Sequence, residues 1–102
     1  MQYQIFRTAK ADEQIRDIIF YRAELTEKNS AIELLNKLEK GINQLSDFPE
    51  SGALPRFGSL RARGFRVIIV DKFLIFYKVN HNKKTITIYT AVDGRRDYLN
   101  LI

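Results

Sequence analysis

Between Phe65 and Val92 the chain carries three strand-like runs with almost nothing between them. Phe65 to Val70 is nearly all apolar, Phe73 to Val79 follows, and Thr85 to Val92 alternates apolar and polar. The first connection is only Asp71-Lys72, although it lacks the glycine such turns favour. The second is the polar turn His81-Asn82-Lys83-Lys84. Connections this short leave no room for the crossover a parallel pair requires, so the three runs must form an antiparallel meander. Within the last run, Ile86, Ile88 and Val92 are expected on one face, and Thr85, Thr87 and Tyr89 on the other.

A meander with an apolar face needs a cover, and the first half of the sequence supplies one. After a short strand-like stretch from Gln2 to Arg7, Thr8 can cap a helix running to about Leu25. Its apolar positions are Ala11, Ile15, Ile18, Ile19 and Leu25. After the break at residues 26–29, Ser30 and Glu33 form a capping-box pattern. The helix it opens runs to about Phe48 and ends at Pro49. Ile32, Leu35, Leu38, Ile42 and Leu45 mark its buried face, widened by Leu34. Two amphipathic helices joined by a short break form an αα-hairpin. Residues 49–64, punctuated by Pro49, Gly52, Pro55, Gly58 and Gly64, form an irregular connection. The expected fold is therefore α+β, one domain over 1–102 in the order β-α-α-β-β-β, with an antiparallel meander covered on one face by the αα-hairpin.

Composition narrows the function. With 102 residues, the chain is one domain. That is too short for a multidomain enzyme or a nucleotide-cofactor fold. No apolar run reaches the ~20 residues of a membrane span. The first twenty residues are charged throughout, so a secretory leader is not expected. Without cysteine there is no disulfide framework and no thiolate zinc site. A cytoplasmic protein without metal or cofactor is the expectation. The net charge of +5 is unevenly divided, −2 over residues 1–51 and +7 over residues 52–102. Residues 56–66 hold four arginines and no acid. Arginine's planar fork suits phosphate and carboxylate, so a polyanionic partner is one reading and a solvated basic surface the other.

The element order at this length is joined by specific residues. These are the turn Asp47-Phe48-Pro49-Glu50-Ser51-Gly52, Arg66 seven residues before Phe73, the run Phe73 to Val79, and the ending Val92-Asp93-Gly94-Arg95-Arg96-Asp97-Tyr98. Together they resemble the RelE/ParE superfamily of toxins from type II toxin–antitoxin pairs, across essentially the whole chain. The resemblance implies a small basic growth inhibitor held inactive by a cognate antitoxin. It also implies one of two targets. RelE-like members enter the ribosome and cut mRNA, whereas ParE-like members poison DNA gyrase and are not nucleases.

RNA cleavage needs groups to accept the 2′-hydroxyl proton, stabilise the crowded phosphate and assist the leaving oxygen. The resemblance places Arg66 and Arg96 at basic positions of the RelE-like site. The C-terminal tyrosine of that group aligns with Ile102 or beyond the chain, and Tyr98, in the same tail, is the candidate acid–base or stacking group in its stead. Leu74 stands where RelE-like chains carry an arginine. Arg66 is expected to aim at phosphate from the open face of the sheet. Arg56, Arg61, Arg63, Lys78 and Arg95 are expected to bind the RNA backbone. Asp97 is a candidate salt-bridge partner for Arg95 or Arg96. Phe73 and Tyr77 read as core, and His81 as an exposed turn residue. Leu99, Leu101 and Ile102 would cover the sheet or meet the antitoxin. The basic second half favours ribosome-associated mRNA cleavage, an endoribonuclease activity that inhibits translation. Gyrase poisoning and a non-toxic antitoxin-binding module are the alternatives.

Overall fold

The computed structural model describes residues 2–96, 98, 99 and 102. Its elements are β1 (Gln4–Arg7), α1 (Ala9–Leu25), α2 (Lys28–Gln44), α3 (Gly58–Ala62), β2 (Arg66–Val70), β3 (Phe73–Asn80) and β4 (Thr85–Asp93). The three late strands form the expected antiparallel meander. To it β1 adds a parallel strand beside β4, from Gln4↔Thr85 to Arg7↔Ile88, so the sheet is mixed, in the order β1-β4-β3-β2. The turn between β2 and β3 works without glycine because Asp71 adopts the left-handed conformation, at φ 58°. Aspartate tolerates that region better than most residues.

Both helices begin where local chemistry allows. The Thr8 hydroxyl accepts from the Ala11 N–H at 3.0 Å and caps α1. Leu25, expected in the buried stripe, is 64% exposed beside the exposed Phe20 and Tyr21. The helix outruns the apolar surface beneath it, and a groove bounded by Ile18, Tyr21, Leu25, Phe73 and Val92 stays open there. The capping box expected at Ser30 is not used. Helix α2 starts at Lys28 with Glu27 as its cap residue, and Glu27 makes no side-chain capping bond. The start shifts because the buried stripe is Ala31, Leu34, Leu38 and Ile42, followed by Leu45, while Ile32 is 44% exposed. The small Ala31 lets the helices approach where Ile32 would hold them apart. Regular helix ends at Gln44, not Phe48, and turns carry the chain to Pro49. Farther along α2, a side chain at Gly41 would place its Cβ 2.8 Å from Val70 Cγ2. Glycine there lets α2 lie close against β2.

Two cores occupy the two faces of the sheet. On the helix side, Ala11, Ile15, Leu34, Leu38, Ile42 and Leu45 pack on Phe73, Ile75, Tyr77, Ile86, Ile88 and Ala91. On the other side, Leu60 of α3 and Tyr98 of the tail join Phe65, Val67, Phe76 and Val92, with Phe57, Leu74, Tyr89 and Ile102 at the margin. The sheet therefore lacks the broad open face expected from the sequence, because α3 and the tail cover it. β2, β3 and β4 each serve both cores, and β4 does so through a break in its alternation. Phe76 pairs with Thr90 but Tyr77 pairs with Ile88, so β4 carries an extra residue at Tyr89. Such a bulge reverses the alternation beyond it. Ile86 and Ile88 face the helices as expected, and Ala91 joins them. Val92, expected beside them, turns to the opposite core.

The bulge is held by one side chain. Gln14 Oε1 accepts from the Ala91 N–H and from the Thr90 hydroxyl, both at 2.9 Å. Leucine at position 14 would fill the space and leave the Ala91 N–H without that acceptor. We expect Gln14→Leu to cost about 1–3 kcal/mol, the usual range for a buried donor deprived of its partner. Urea denaturation with an unchanged m-value is the check.

Candidate functional site

The residues expected to act together lie at opposite ends and on different layers of the sheet. Arg66 opens β2 opposite Tyr77. It shares the strand parity of Ile68 and Val70, which pack toward the helices. Its guanidinium is already engaged. Nη1 donates to the Gly52 carbonyl at 2.9 Å and the Glu50 carbonyl at 3.3 Å. Nη2 lies 3.3 Å from Glu50 Oε2. Directly across the pair, the Tyr77 hydroxyl donates to the Pro49 carbonyl at 2.8 Å and accepts from the Gly52 N–H at 3.0 Å. Burial pushes the Tyr77 phenol above its ordinary value, outweighing the downward pull of the Gly52 bond and Arg66. The hydroxyl thus stays a neutral donor. A side chain at Gly52 would collide with that hydroxyl, at 2.6 Å. Arg66 and Tyr77 together pin the turn through residues 49–52 onto the sheet.

Glu50 extends this group to His81, read from the sequence only as an exposed turn residue, and through it to Tyr3. Its Oε1 is 3.5 Å from His81 Nε2, and the Tyr3 hydroxyl lies 2.7 Å from His81 Nδ1. With Nε2–H turned to Glu50, Nδ1 accepts from Tyr3. His81 is half exposed, as a turn residue should be, yet it ties β1 to the β3–β4 turn and to the 49–52 turn. Only the proximity of three distant segments reveals this, and no local sequence signal carries it.

Arg95 and Arg96 follow β4 at the other end. Val70 pairs with Phe73 and Phe73 with Asp93, so this end lies beyond the far terminus of β2. The five residues of β2 alone put about 13 Å between the two ends. Arg95 grips Asp93 with two side-chain bonds at 3.2 and 3.0 Å and a backbone N–H at 2.9 Å. Lys72 Nζ stands 4.0 Å from the same carboxylate. Arg96 is exposed and has no carboxylate partner among the described residues. Asp97, the expected partner, lies outside the described residues, as does Leu101. Tyr98 is 8% exposed. Its ring packs 5.6 Å from both Phe57 and Phe76, in the core opposite the helices. Arg66, Arg96 and Tyr98 are therefore not assembled around one point.

The expected phosphate-binding residues divide. Arg61 Nη1 donates to the Pro55 and Arg56 carbonyls at 2.9 and 3.1 Å, bracing the connection before β2. Arg56 lies 5.6 Å above the Phe57 ring. Arg63 and Lys78 are brought together by Phe65, 5.1 and 4.6 Å from its centroid, and Lys78 also lies 5.3 Å from Tyr89. Among the described residues no cluster of metal-ligating side chains occurs, and no helix is long and apolar enough to cross a membrane.

A strand, a helical hairpin and a three-stranded meander closed by the parallel return of the first strand is the fold of small toxins from toxin–antitoxin pairs. Over residues 5–98 the sequence matches the family described as ParE toxin of type II toxin–antitoxin system, parDE, and the chain belongs to that family. It is similar in structure to a chain of the chromosomal ParDE toxin–antitoxin system from P. aeruginosa. The TM-score is 0.73 at 16% identity, covering 90% of this chain and 96% of that one. It is also similar to a chain of the RelBE2 toxin–antitoxin complex from Mycobacterium tuberculosis. Here the TM-score is 0.63 at 14% identity, covering 91% and 99%. No curated protein matches the sequence significantly.

The Asp93–Arg95 pair gives this region an acid signature. Side-chain bonds from Arg95 hold the Asp93 carboxyl below its usual value, against the opposing effect of burial. A depressed carboxyl binds fewer protons folded than unfolded. Its stabilisation is present above the ordinary aspartate value of about 3.9 and fades as pH falls below it. The stability difference between the wild type and Asp93→Asn should be full near neutral pH and shrink below about pH 4. Urea denaturation across that range is the check.

Proposed function

We propose that this chain is the growth-arresting half of a toxin–antitoxin pair, restrained in the cytoplasm by a cognate antitoxin, and that it acts by occupying DNA gyrase rather than by cutting mRNA. The observation that carries this reading is the dispersal of the groups a nuclease would need. Arg66 is committed to the carbonyls of Glu50 and Gly52, Tyr98 is packed between rings, and Arg96 stands at the far end of the sheet. Phosphoryl transfer requires its charge-stabilising groups within about 3 Å of one reacting phosphate. The strand's length between Arg66 and Arg96 weighs against their meeting on one phosphate. Family membership supports the reading, since the matched family is the toxin of parDE.

The test is brief expression of the chain alone in bacteria, with purified gyrase assayed in parallel. The expected result is growth arrest with double-strand breaks, inhibition of supercoiling by the pure protein, and mRNA 5′ ends unchanged from controls. New 5′ ends at fixed codon positions, lost in Arg66→Ala, would instead establish ribosome-dependent cleavage. Normal growth would leave a module that only binds its antitoxin.

A further inference from the structure

The groove beside the last turns of α1 encloses about 750 Å³. Its floor includes Phe73 and Ala91 of the helix-side core, and its α1 wall carries Ile18, Tyr21 and Leu25. The opposite wall is the end of β4, with Asp93, Arg95 and Arg96, and Lys72 beside it. We propose that this groove is the interface of a twofold-symmetric dimer, in which the overhanging end of α1 from one copy lies in the groove of the other. The proposal concerns the chain free of other partners and does not depend on the target it arrests.

Three observations single out a second copy as the occupant. First, the apolar surface left uncovered lies on one wall. Phe73 and Ala91 are already buried at the floor, whereas Tyr21 and Leu25 are 62% and 64% exposed. An occupant must offer apolar side chains to Tyr21 and Leu25 and fill the space over the floor. The same two residues from another copy do both, and an aromatic ring at the centre is typical of a contact between proteins.

Second, the groove leaves one free charge of each sign, on opposite walls. Arg22 is bound to Asp71 at 3.2 Å, and Arg95 and Lys72 share Asp93 at 3.0 and 4.0 Å. Asp17 on α1 and Arg96 beyond β4 are both exposed, and neither has an ion-pair partner among the described residues. An acidic occupant would meet Asp17, and a basic one would meet Arg96. A copy related by a twofold axis brings its Asp17 to Arg96 and its Arg96 to Asp17. Two ion pairs then form that neither chain makes alone.

Third, the protruding residues and the groove belong to one patch. Asp17, Tyr21 and Leu25 follow one another at single turns along α1 and all line the groove. Where knob and hollow lie far apart, copies add head to tail and the assembly keeps growing. Here a single twofold contact covers both, so the assembly closes at two.

The experiment is sedimentation velocity of the full chain at low salt, from about 1 μM to about 500 μM. The expected result is a dimer fraction that rises with concentration, with no larger species. Each substitution acts twice in a twofold interface, so Tyr21→Ser/Leu25→Ser should raise the dissociation constant at least about tenfold. Asp17→Arg and Arg96→Asp each set like charges against one another and should each raise it at least about fivefold. The double variant Asp17→Arg/Arg96→Asp restores opposite charges and should return to within about threefold of wild type. Ile69→Ser removes an exposed apolar side chain from the edge strand β2 and should leave the equilibrium unchanged. Circular dichroism confirms that every variant folds. Four results would overturn the proposal. They are a monomer throughout the range, oligomers that keep growing, a double charge variant no better than the single ones, and a dimer lost in Ile69→Ser but kept in Tyr21→Ser/Leu25→Ser. The last would assign the contact to the sheet edge.

Discussion

The structure turns on a single extra residue in β4 and the amide that holds it. A strand that alternates apolar and polar residues feeds one apolar face only. By admitting Tyr89 as a bulge, β4 places Ile86 and Ile88 under the helices and Val92 in the opposite core. Gln14, reaching from α1, satisfies the backbone at the point where the pairing skips. With β2 and β3, whose apolar residues point to both faces, β4 thus completes two cores on one four-stranded sheet. The second core fixes α3 and the Tyr98 ring, and it shapes the surface on which Arg63 and Lys78 rest.

Charge on this molecule is sorted by what lies next to it. Where a carboxylate is near, the arginines become structural. Arg7 binds Glu39 at 2.6 Å, Arg22 binds Asp71, Arg66 binds Glu50 and Arg95 binds Asp93. Exposed pairs of this kind contribute only ~0–1 kcal/mol each, but they decide which cations remain available. Arg56, Arg63 and Lys78 rest on rings instead and keep their charge for a partner. The +7 balance of the second half thus overstates the free positive surface, and local surroundings identify the residues that supply it.

The sequence was legible where one period governs a segment. The meander, the helical pair and their order followed from alternation and amphipathic spacing, and the family from an ordered set of turns and endings. It was not legible where tertiary contact overrides local chemistry. Ser30 and Glu33 make a sound capping pattern, yet the packing of Ala31 starts the helix three residues earlier, with Glu27 rather than Ser30 as the cap residue. Val92 obeys its alternation until the bulge reverses it. The short α3 and the parallel placement of β1 have no periodic signature. The surroundings of the candidate site residues were the least legible. Arg66 reads as a free guanidinium in any linear inspection, and only the turn at Glu50–Gly52 folding back upon it reveals its partners.

The parallel pairing of β1 with β4 also orders events in time. Gln4 to Arg7 are made before their partners Thr85 to Ile88, which come some eighty positions later. A ribosome adding residues from the N-terminus can release the helical hairpin, whose contacts are local, long before the sheet has all its strands. Ile5 must wait, without its strand partner, until Ile86 emerges. A toxin arranged in this way cannot complete its sheet until β4 has been made, and a truncated copy lacking β4 has nothing for its first strand to join.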